Sequence, residues 1–232
     1  MKKHIQFIAF ISLLLMWGCT SIREATNPNS GFNPQLRVEG GYAKGGITEN
    51  TDMEAVASDV SVDAFSGATH PGFYAGVHAT ETFRKNAVEA GIDFMHNAQT
   101  FTYNDEGNGF AGKREMGVSQ LNLPVTYNFR IFSNRQDENL LSVKLGFVMQ
   151  YNMLDVQNQQ SGLPEYSRNK FSNGLTFGVE LIPFRFANGN ALGIRVDGYR
   201  GSQVYNDFYN QSSMETAGTS YMKTGIIYQF NH

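Results

Sequence analysis

Residues 192–198 read LGIRVDG, and their alternation decides the fold. Leu192, Ile194, Val196 and Gly198 share one parity, while Arg195 and Asp197 occupy the other. In an extended chain, successive side chains point to opposite faces. This stretch is therefore a strand with one greasy face and one ionised face. The same period of two recurs in segments 36–42, 73–79, 88–94, 121–129, 141–151, 175–181 and 222–230. No Lys, Arg, Asp or Glu lies on any of the apolar parities. The opposite parities carry Arg37, Glu39, Glu89, Asp93, Arg130, Lys144, Glu180, Arg195, Asp197 and Lys223, interleaved with Gln120, Asn122, Asn128, Gln150 and Asn152.

Periodicity does not say which face is inside. A soluble sandwich or barrel turns its apolar face inward, and a membrane barrel reverses the sign. Two features favour reversal. The polar face mixes its charges with Gly, Thr, Gln and Asn, as a crowded lumen would, where a wet exterior usually shows more Lys and Glu. The connections also alternate. Short links fall at 84–87, 133–139 and 187–190, and longer ones at 46–70, 104–116, 154–170 and 202–217. An even-stranded barrel with tight turns at one end and loops at the other has this pattern. Phe83, Phe129, Phe186 and Phe230 close the strands that run toward the short turns, as an aromatic girdle requires. Phe184 and Phe186 break the parity set by Phe177, and Pro183, just before them, marks a bulge. The expectation is an all-β fold: an eight-stranded antiparallel up-and-down transmembrane β-barrel over residues 35–230.

Composition agrees. Charged residues make up 17% of the 232, while Gly (24), Phe (18) and Tyr (11) are abundant, as in strands joined by polar loops. A formal net charge of −3 without a basic face argues against nucleic acid. The start, MKKHIQFIAFISLLLMWGC, places Lys2 and Lys3 before an apolar run at 5–17 that is too short to span a bilayer as a helix. It reads as a signal peptide over 1–18, followed by a polar tether over 19–34. Cys19 is the sole cysteine, so no intrachain disulfide forms. The stretch LLLMWGCTS resembles a lipobox, which makes Cys19 a lipidation candidate.

The terminal stretch with Ile226, Tyr228 and Phe230 resembles the β-signal read by the barrel assembly machinery of Gram-negative outer membranes. Residues 121–132, LNLPVTYNFRIF, resemble a strand of the porin-like outer-membrane β-barrel domain family, of the OmpA/OmpX size class. The resemblance implies an outer-membrane location, contact with outer-membrane lipid and the assembly machinery, and an extracellular partner of unknown kind.

Eight strands enclose a space that side chains fill. Arg37, Glu39, His78, Glu89, Asp93, Lys144, Glu180, Arg195, Asp197 and Lys223 are thus expected to form a polar plug. Other motifs carry less. Gly107, Gly109 and Gly112 spell G-x-G-x-x-G, but a strand follows where a phosphate site needs a helix. Asn104, Glu106, Asn108 and Glu115 fall at calcium-loop positions and form a weak cation candidate. No two histidines stand at metal-ligand spacing, so neither metal nor cofactor is expected. A lipid-hydrolysing barrel needs a hydroxyl beside a base at the lipid surface. In HAT, His78 and Thr80 point inward, and in HNA, His96 is followed by Ala98. The reading is a non-enzymatic barrel serving envelope structure or surface interaction through four loops. Alternatives are a lipid-modifying enzyme, a narrow channel or secretion accessory, and a soluble lipid-anchored barrel holding an apolar ligand.

Overall fold

The computed structural model describes residues 34–47, 61–63, 70–83, 86–105, 110–133, 139–159, 166–202, 205–207 and 219–230. The signal segment, Cys19, Glu106 and Asn108 lie outside them. Eight long strands build the fold: β1 Gln35–Ile47, β2 Gly72–Phe83, β3 Asn86–Asp105, β4 Phe110–Ser133, β5 Asn139–Gln159, β6 Phe171–Arg185, β7 Ala191–Gly201 and β8 Thr219–Gln229. Each pairs antiparallel with its neighbour in the chain, and β8 pairs with β1, so the sheet closes into an up-and-down barrel. Closure leaves no unpaired edge around the circumference. Among the described residues there is no helix.

The faces are inverted relative to a water-soluble barrel. Ile194 is 50% exposed and Arg195 is 1% exposed; Val143 is 40% exposed and Lys144 is 3% exposed. Leu123, Val77, Ile92, Leu145, Phe177 and Ile226 all stand on the outer surface. Aromatic rings collect toward the tight-turn end of that surface. Phe83 meets Tyr127, Tyr127 meets Phe129, and Tyr228 meets both Phe186 and Phe230, with centroids 4.5 to 6.4 Å apart. Toward the other end stand Phe73 against Phe94 and Tyr151 against Phe171.

Local irregularities follow from sequence. The β6–β7 turn needs Gly189, which adopts φ 82°. Its N–H donates to Phe186 O, and the Phe186 N–H donates to Asn190 O. In β6 the register slips between Leu181 and Phe184. One extra residue at this point, beside Pro183, returns Phe184 and Phe186 to the outer face.

The connections differ from expectation. Strands β3, β4 and β5 continue well past the apolar band. The 104–116 link is mostly paired strand, and only 106–109 lie between β3 and β4. It is no longer than the link at 134–138. Beyond the band the outer parity turns to Ala98, Thr100, Glu115, Gly117 and Asp155, while Met116, Val118 and Leu154 are buried on the inner face, so the apolar-outside alternation stops although backbone pairing does not. Within the 46–70 link, Ser61–Asp63 pairs with β3, and in the later links Tyr166–Arg168 pairs with Tyr205–Asp207.

Candidate functional site

The lumen is filled by one ion network fed from seven strands. Glu89 of β3 is its hub. Its carboxylate accepts from Arg37 (3.0 Å), Arg195 (2.8 Å), Lys144 (2.7 Å) and Thr80 (3.1 Å). Glu180 of β6 accepts from Arg37 at 2.9 Å and from Arg195 at 2.7 Å. Arg195 also donates to Glu39. Lys223 of β8 donates to Asp93 at 2.7 Å and lies 3.9 Å from Asp197. The Lys223 Nζ sits 4.7 Å from the centroid of the Tyr74 ring, a cation–π contact. His78 sits among carboxylates, with Nε2 2.7 Å from Asp93 and 3.3 Å from Glu39, and Nδ1 3.4 Å from Glu89. All of these side chains are buried. Alternation aims each one inward, and the register of the closed sheet sets them at matching heights.

Toward the tight-turn end, Gln229 accepts from Arg37 and donates to Gln35. Toward the other end the lumen holds an apolar and aromatic layer that the polar-face reading missed: Ala43, Tyr74, Met95, Val148, Tyr199 and Tyr221. Tyr199 and Tyr221 stack with centroids 4.5 Å apart. Each lies on the inward parity of its strand, so parity alone could have found them. An amide layer adjoins it, in which Gln150 donates to Asn122 and to Tyr221, Gln120 to Asn152, and Asn152 to Ser172.

Searched against protein-family models and curated proteins, the chain matches none. Among solved structures it is similar to the outer membrane protein OprG from Pseudomonas aeruginosa. The match covers 88% of this chain and 99% of that one, at 13% identity and a TM-score of 0.46. At that identity and score the likeness assigns no function.

Of the cation candidates, only Asn104 and Glu115 lie among the described residues. Asn104 pairs opposite Ala111 and Glu115 opposite Thr100. That offset is four residues along β3, roughly 13 Å at strand rise, too far for the two to share an ion. The extended hairpin is the reason. Glu39, His78 and Asp93 bring ligand atoms within 4.8 Å of one another. However, Arg195 and Lys223 already occupy those carboxylates, and a metal ion there would face two fixed cations.

Of the two His-containing stretches, His78 and Thr80 are locked in the lumen network. His96 faces outward and finds a hydroxyl on the next strand. His96 Nδ1 lies 2.8 Å from Ser119 Oγ, and the two residues are directly opposed in the β3–β4 ladder. Sequence spacing along one strand could not reveal a pair made across two. The terminal Ile226 faces outward opposite Gly40 and Ile194. Tyr228 accepts from Asn190 Nδ2 at 2.7 Å in the aromatic cluster at the turn end.

Proposed function

We propose that this protein is an outer-membrane barrel with a plugged lumen, held in the bilayer by its apolar outer band. In this reading it acts from its surface and from the loop end, and not as a pore. One observation carries the proposal: ionised side chains from six strands, joined by His78 from a seventh, are buried and paired in the interior, while the outer wall is apolar between two aromatic clusters. Hydrocarbon offers no water to backbone groups, and a closed barrel is the sheet that meets that demand. A soluble carrier of an apolar ligand needs an apolar cavity, and the centre of this interior is held by paired charges. Alkaline carbonate extraction of cell envelopes tests the reading. The expected result is a protein retained in the membrane pellet that migrates faster unheated than boiled. Release into the supernatant, with no heat-dependent migration, counts against it.

A further inference from the structure

From the hydroxyl–imidazole pair on the outer wall we infer an esterase site at the membrane surface: Ser119 as nucleophile, His96 as general base and Gln157 as donor to the oxyanion. The inference rests on the membrane reading for its substrate, though not for its chemistry. A 2.8 Å contact between Ser119 Oγ and His96 Nδ1 lies within proton-transfer reach. It suits activation when the ring carries its proton on Nε2 and the hydroxyl donates to Nδ1.

Position adds a second argument. Across the outer wall the row reads Phe73, His96, Ser119, Met153. One step toward the turn end stand Phe94, Leu121 and Tyr151, all exposed and apolar or aromatic. One step toward the loop end stand Ala98, Gly117 and Asp155. The pair therefore sits where the apolar band gives way to polar strand, at the depth where acyl chains join their headgroups.

A third observation is a bulge. The β4–β5 register slips between Glu115 and Met116, which leaves Gln157 as the extra residue. Bulges re-aim side chains and are frequent beside active sites. Here Gln157 folds over Gly117. Its Nε2 is 3.1 Å from where a Gly117 Cβ would stand, and His96 Cε1 is 3.6 Å from that point. An amide donor thus lies beside the imidazole on the headgroup side, where the carbonyl oxygen of a bound ester would collect charge.

The substrate class is a carboxylic ester of a membrane lipid. Ser119 Oγ attacks the acyl carbonyl carbon as its proton passes to His96 Nδ1. The acyl–oxygen bond breaks, and that proton goes to the departing alcohol. Water then attacks the acyl-serine, giving a proton to His96 that returns to Ser119 Oγ as the fatty acid leaves.

The test uses the full chain extracted from membranes in detergent, with p-nitrophenyl palmitate and a fluorophosphonate probe. The expected result is hydrolysis together with probe attached to Ser119 by mass spectrometry. Both vanish in Ser119→Ala. Hydrolysis falls roughly a hundredfold in His96→Asn and in Gln157→Ala, with heat-dependent migration unchanged in all three. Gln157→Glu, which keeps the side chain's size but removes its N–H donor, lowers kcat more than it raises KM. A heat-modifiable wild type that hydrolyses no faster than Ser119→Ala and takes no probe overturns the site. Labelling of Ser119 in a protein that carbonate extracts would uphold the site and remove the membrane instead.

Discussion

Glu89 accepts from four donors contributed by four other strands, and almost none of it is exposed. Removing it leaves Arg37, Arg195 and Lys144 short of an anion in a dry interior. Breaking a buried pair by deleting one partner costs about 3–5 kcal/mol. Glu89→Ala is therefore expected to lower the unfolding free energy by about that amount, measured by urea titration in lipid vesicles. The outer wall responds by a different rule. Ile194→Arg puts a charge at mid-band and is expected to cost about 2–4 kcal/mol in vesicles, against about 0–1 for Phe186→Arg near the turn end. If the wall were wet, the two substitutions would be alike, and the same titration would reveal it.

The strands carry the next level of the argument. Each apolar stripe spans the band, while β3, β4 and β5 run on beyond it with polar and small residues on the outer parity and Met116, Val118 and Leu154 buried within. Tryptophan probes locate the band. In the chain without its signal segment, which removes Trp17, Phe177→Trp should be quenched best by bromines deep on the acyl chain, and Phe184→Trp by shallow ones. Equal quenching by both depths would contradict the band. At the end of β8, Phe230 packs edge-on against Tyr228, and its N–H donates to Leu36 O across the β1–β8 seam. Phe230→Ala is expected to reduce the fraction of folded, heat-modifiable protein in envelopes, since it loosens the seam where the barrel closes.

For the whole molecule, side chains occupy the lumen in successive layers: amides at the turn end, then ions, then stacked tyrosines, then a second set of amides. Planar-bilayer recordings of the wild type are expected to show no current steps. Sustained unitary conductance would mean that the plug yields and that the surface-acting reading fails.

Much of this architecture was legible in the chain. Alternation in segments such as 192–198 names the strands and sorts side chains into two faces, because a strand's geometry has a period of two regardless of what surrounds it. The same parity places Tyr74, Tyr199 and Tyr221 with the polar set, although a charge-led reading passes over them. The extended hairpins of β3 to β5 were not legible, since the outer parity loses its apolar residues there while the inner parity gains Met116, Val118 and Leu154, which leaves no single apolar stripe to count. Nor were the contacts that make chemistry. Glu89 meets Arg37, Lys144 and Arg195 over 52, 55 and 106 residues of chain, and His96 meets Ser119 across a strand boundary. Such meetings depend on register and closure, which are set by many weak pairings acting together and written in no single segment.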